Sequence, residues 1–165
     1  MKIIYSSISD IELTYEDLVS LISAGITDGD YNFGIDYDPK HYEALPKELR
    51  SKDDCLEDKI AKILLSGGKV RVTDYDAEGV KYEGANLKAK VLTDEESVRY
   101  YVDLDAIKSG LINAANGTTL DYGGEAKYLK EAFEAFCQDE EESLFDAEYA
   151  MALWQAILFN EVVYG

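Results

Sequence analysis

The stretch ITDGDYNFGIDYDP, residues 26–39, gathers four aspartates and an asparagine, side-chain oxygens of the kind that bind calcium. Counted from Asp28, the residues at loop positions one, three and five are Asp28, Asp30 and Asn32. Position six, where the sharp turn needs glycine, is Phe33, and position twelve, where a bidentate glutamate closes the loop, is Pro39. Counting from Asp30 puts Gly34 at five and Ile35 at six, a poorer match. The segment therefore holds half of a calcium loop. A turn at Asp28-Gly29-Asp30, then a short strand through Tyr31, Phe33 and Ile35, accounts for the same residues. No metal or cofactor is expected.

Other reactive constellations are thin. The lone histidine, His41 in DPKHYEALP, has no serine or cysteine motif beside it to activate. No GxSxG, Walker A or GxGxxG motif occurs. Gly67-Gly68 and Gly123-Gly124 lack the Lys-Ser/Thr of a phosphate loop and fit helix boundaries instead. Cys55 and Cys137 stand far apart, without zinc-ligand spacing, and fit reduced thiols in the cytosol. Carboxylate pairs recur at Asp36/Asp38, Asp53/Asp54, Asp74/Asp76 and Asp103/Asp105. On a strand, an i, i+2 pair would share one face and could hold a metal. With 34 acidic residues in the chain, such pairs also arise by chance. Asp74 and Asp76 fit the flanks of a hairpin turn, and Asp103 and Asp105 a helix start, where the dipole favours anions.

Charge is the outlying property. The 34 acidic residues face 16 basic ones, for a net charge of −18. Residues 1–50 carry −6, residues 51–115 carry −3 and residues 116–165 carry −9. Such a chain is repelled by nucleic acid and by anionic membranes and attracted to basic protein surfaces. The densest feature is QDEEESLFDAE, with Asp139, Glu140, Glu141, Glu142, Asp146 and Glu148. Either it is a solvated interhelical loop or it docks a basic partner. A helix with one carboxylate per turn offers a charge every ~5.4 Å, against one per ~1.7 Å in duplex DNA. A polynucleotide mimic must therefore combine several elements: the 139–148 run, Glu131 and Glu134, and Asp28, Asp30, Asp36 and Asp38. Among the 13 tyrosines, Tyr31, Tyr37, Tyr42, Tyr122 and Tyr149 adjoin acids, a pairing suited to engaging Arg and Lys.

At 165 residues the chain is expected to form a single domain, 1–165, with a buried core. The start, MKIIYSSISD, lacks the long apolar region of a secretory leader, and MALWQAILF is too short to span a bilayer. KIIYSSI predicts a strand. Thr14 with Asp17 predicts a helix start, with Leu13 stapled to Leu18 and Gly25 at the end. A second helix is expected after Ser51, with Asp54 three residues on and Leu56, Ile60, Ile63 and Leu64 as its stripe. KVRVTDY, VKYE, LKAKVL and VRYYVD predict a four-strand antiparallel meander. Asp103 caps the next helix, with Leu104, Ile107 and Leu111 inward. The last third is helical. Leu129, Phe133 and Phe136 form one stripe, and Asp146 caps a final helix that is apolar over most of its circumference. That helix is either buried centrally or forms a homodimer seam. The fold class is α+β, an antiparallel sheet of about four strands covered by helices.

The segments DAEYAMALWQAILFNEVVYG and VRYYVDLDAIKSGL resemble small acidic proteins of phages and mobile elements of gut bacteria. Some such proteins inhibit host defence, among them anti-CRISPR and anti-restriction proteins. The resemblance implies a non-enzymatic inhibitor in the host cytoplasm. Its partner would be a basic nucleic-acid-binding protein such as a Cas or restriction nuclease, not nucleic acid itself. A carboxylate-based metal enzyme and a phage structural or assembly protein are the alternatives.

Overall fold

The computed structural model describes residues 8–28, 32–75, 90–92, 97–119, 123–138 and 144–164. Residues 2–7 of the first expected strand, the expected strand at 80–83, and the residues Asp30, Asp76 and 139–142 lie outside them, and Ile8 is not part of a strand. The fold is α+β, and its C-terminal region is helical.

Thr14 and Asp17 form a reciprocal capping box, which starts α1 (Tyr15–Ile22). Gly25 does not end the helix. The chain continues through a π-helical turn, Ser23–Thr27. Gly25 is needed there for closeness, since a Cβ would overlap the Trp154 indole. Strand β1 (Phe33–Asp36) leads to two short elements that periodicity does not reveal, α2 (Pro39–Glu43) and a 3-10 turn at Lys47–Leu49. Helix α3 spans Leu56–Leu65. Its cap is Cys55 with Asp58, not Ser51 with Asp54. The Ser51/Asp54 pair closes a preceding turn, in which the Ser51 N–H donates to Asp54 at 3.1 Å.

The sheet corrects the expected meander. Strand β2 (Val70–Asp74) pairs directly with β4 (Val98–Val102), and β3 (Lys90–Leu92) pairs with β4's other edge. Among the described residues, three of the four meander strands are present. The outer place beside β2 is taken by β1, giving the order β1-β2-β4-β3, antiparallel throughout. One face buries Val70, Val72, Val98, Tyr100 and Val102. Asp74 continues that inward alternation and is fully buried, where the sequence suggested the flank of a hairpin turn.

Asp103 caps α4 (Leu104–Asn116), accepting from the Ala106 N–H at 2.8 Å, and α5 spans Glu125–Phe136. Asp146 caps α6 (Ala147–Phe159), whose residues from Ala152 to Phe159 are all buried. Phe159 sets its ring against Phe33 of β1 and Tyr100 of β4, which seats α6 on the sheet's inner face. A Cβ at Gly110 of α4 would overlap the backbone of Ile157, so α4 and α6 cross closely. Helix α6 is thus the central helix of this chain. The buried side chains form one contiguous cluster from Leu13 to Phe159. Among the described residues no helix is long and apolar enough to cross a membrane.

Candidate functional site

The helical end of the molecule draws three of the expected acidic residues together. Tyr128 of α5 and Tyr149 of α6 meet with ring centroids 5.2 Å apart. Burial, then the charges of Glu148, Asp146 and Glu131, push the Tyr128 hydroxyl above its ordinary value. Those three carboxylates are exposed and close enough to act on one phenol. Phe145 packs on Phe136 at 5.3 Å and fixes the chain entering α6. Beside it Leu144 is 76% exposed. Glu131 makes only a loose i, i+4 contact with Lys127 at 4.0 Å, which leaves its charge largely unneutralised.

Around the corner of α5 lies a groove of about 390 Å³ between α5 and the segment leading into α1. Ile11, Leu13, Phe133 and Phe136 give it an apolar lining, and Glu12 and Asp17 add carboxylates. This combination suits the aliphatic stem and charged head of a lysine or arginine. Cys137 also lines the groove, and burial pushes its thiol up, away from the reactive thiolate. Sequence reasoning missed Glu12, since Ile11 to Asp17 carried only a helix-start signal.

Of the other expected site residues, the described ones, Asp28, Asp36 and Asp38, stand elsewhere, each with a local task. Asp28 ends the π-helical turn, donating its N–H to the Ser23 carbonyl at 2.9 Å. Asp36 accepts a forked pair of hydrogen bonds from Arg71, from Nε at 2.7 Å and Nη2 at 3.0 Å. Asp38 caps α2, accepting from the Lys40 N–H at 3.0 Å. The Asp36 charge is therefore largely neutralised within the chain.

A second polar cluster binds the start of α3 to its surroundings. Tyr15 donates to Asp58, and Thr27 to Glu57. Tyr42 donates to Asp54 at 2.6 Å, and Lys62 does so at 2.7 Å. The hydrogen bond to Asp58 holds the Tyr15 hydroxyl above its ordinary value. Every carboxylate here already has a partner, and the cluster ties α1, α2 and α3 together. His41 Nδ1 lies 3.1 Å from the Lys69 carbonyl, in an exposed position on α2. Cys55 and Cys137 are both free thiols. Among the described residues no three His, Cys, Asp or Glu side chains gather to hold a metal ion.

The chain matches no protein-family model, no curated protein and no solved structure.

Proposed function

We propose that this protein is a non-enzymatic, acidic inhibitor that occupies the basic nucleic-acid-binding surface of a host-defence nuclease. The observation that carries this reading is the tilted Tyr128–Tyr149 pair, ring centroids 5.2 Å apart, with the exposed charges of Glu148, Asp146 and Glu131 acting on the Tyr128 phenol. Carboxylates set around phenol faces form a receptor for guanidinium and ammonium groups, by charge and by cation–π contact. The apolar groove with Glu12 and Asp17 extends that surface toward α1. In sequence the face runs directly into Asp139, Glu140, Glu141 and Glu142. The surplus charge of −18 hastens encounter with a cationic cleft, most strongly at low salt. Asp36, paired with Arg71, and Asp28, at the end of the π-helical turn, have secondary parts in this reading.

The test is competition. Labelled duplex DNA is bound to purified Cas and restriction nucleases, and its anisotropy is followed as the protein is added. The expected result is displacement from at least one of them, weakened by salt and by the double charge reversal Glu131→Lys and Glu148→Lys. Neither residue caps a helix, so the variant keeps its fold. Displacement by this variant equal to that of the parent chain removes the face from the reading. No displacement from any of the panel at low salt removes the inhibitor.

A further inference from the structure

Among the described residues, the side of the sheet opposite α6 carries a row of hydrogen-bond donors, one of which is buried without a partner. Strand alternation turns Gly34, Thr73 and Arg99 outward, away from the buried Phe33, Val72, Val98 and Tyr100. The register sets Thr73 opposite Gly34 on one side and opposite Arg99 on the other. These three residues therefore form one line across three strands, each step about 4.8 Å. Tyr75, 60% exposed, lays its ring over Gly34, where a Cβ would collide with the phenol. The line thus reads phenol, hydroxyl, guanidinium.

Arg99 is the unusual member. Its Nε is buried, with no hydrogen-bond partner. In a chain with 34 acidic residues, it makes no ion pair among the described residues. An unsatisfied buried donor is costly and points to a group that satisfies it. The adjacent row holds the carboxylate of β1 that comes nearest in register among the described residues. Asp36 lies in that row and is already held by both arms of Arg71. The chain's overall negative charge does not forbid an anion here, because exposed charges more than about 8 Å away are largely screened at physiological salt.

The geometry points to an oxyanion site on the outer sheet face, in which Arg99, Thr73 and Tyr75 bind the oxygens of a phosphoryl group. A guanidinium fork with two hydroxyls supplies donors from three directions, which suits a tetrahedral anion better than a planar carboxylate. The inference is independent of the inhibitor reading, which concerns the other side of the molecule.

The experiment uses inorganic phosphate and O-phosphoserine as probes. Binding is measured by calorimetry, and thermal unfolding is compared with chloride at equal ionic strength. The parent chain is expected to bind saturably and to gain melting temperature beyond the chloride control. Arg99→Met is expected to lose that gain and, without anion, to melt no lower than the parent, since its removal deletes an unsatisfied donor. Thr73→Val and Arg99→Lys are expected to bind several-fold more weakly while keeping the fold. Tighter binding of phosphoserine would assign the site to a phosphoryl group carried on a larger molecule, and equal or tighter binding of phosphate to the free anion. No saturable binding by the parent overturns the inference, as does equal affinity in the parent and Arg99→Lys.

Discussion

Tyr164 donates its phenolic hydroxyl to the carboxylate of Asp74, lying 2.9 and 3.1 Å from its two oxygens, across 90 positions of sequence. Asp74 is fully buried at the inward end of β2, so the tail after α6 reaches back into the sheet. Gln155 sets up that reach. Its side-chain oxygen accepts from the Val163 and Tyr164 N–H groups, both at 2.6 Å, and its amide donates to the Tyr164 carbonyl at 3.0 Å. Asn160, in the left-handed region at φ 58°, turns the chain out of α6 so that this can happen. Tyr164→Phe keeps the ring against Phe33 and Phe159 but removes the hydroxyl. The fully buried Asp74 then loses that donor, and urea unfolding should show about 1–3 kcal/mol less stability. A change within a few tenths would mean that Asp74 is held well enough by its other contacts.

Acid should loosen the start of α3. Hydrogen bonds from Tyr15 and Cys55 hold the Asp58 carboxyl below its ordinary value, and Thr27 does the same for Glu57. Burial pushes Asp54 up, but its hydrogen bonds with Lys62 and Tyr42 outweigh it and the net direction is down. In the unfolded chain these groups take up protons first, as pH falls through about 4. The stability they provide is complete above that value and is lost as pH drops through the depressed folded values. Tyr15→Phe removes the main donor to Asp58. Its stability at neutral pH should fall, and the further loss as pH drops below about 4 should be shallower than in the parent. An unaltered acid limb in denaturant titrations would locate the sensitivity in other carboxylates.

Asp146 has two parts that can be separated. Its side chain accepts from the Tyr149 N–H at 2.9 Å as the cap of α6, and its charge belongs to the Tyr128–Tyr149 face. Asp146→Ala should cost about 1 kcal/mol of stability. Asp146→Asn keeps a good cap and should stay within about 0.5 kcal/mol of the parent in thermal unfolding, while weakening competition with DNA for a basic partner. Equal competition by the Asn variant would leave Asp146 with its capping part alone.

What was legible in the sequence was local. Thr14, Asp103 and Asp146 each cap the helix that follows them, because a cap and its orphan N–H lie within three residues. Val70 and Val72 alternate inward as read. The rest depended on partners distant in sequence. Asp74 sits on the inward phase of that same alternation, yet an aspartate there suggests a turn until Tyr164 is known to meet it. Two overlapping patterns, Ser51 with Asp54 and Cys55 with Asp58, compete for one helix start, and only packing decides between them. The pairing of β2 with β4 across more than twenty residues leaves no local mark. Of the site, the run at Asp146 and Glu148 was visible as charge, but its meeting with Glu131 required α5 and α6 to pack side by side.

The π-helical turn has an optical consequence. It brings Gly25 under Trp154, and the indole N–H donates to the Leu21 carbonyl at 2.8 Å, sealed from solvent. Trp154 is the chain's single tryptophan, so all indole emission comes from the junction of the first and last helices. The native protein carries its own unlabelled fluorophore, whose spectrum shifts to the red as soon as that junction admits water.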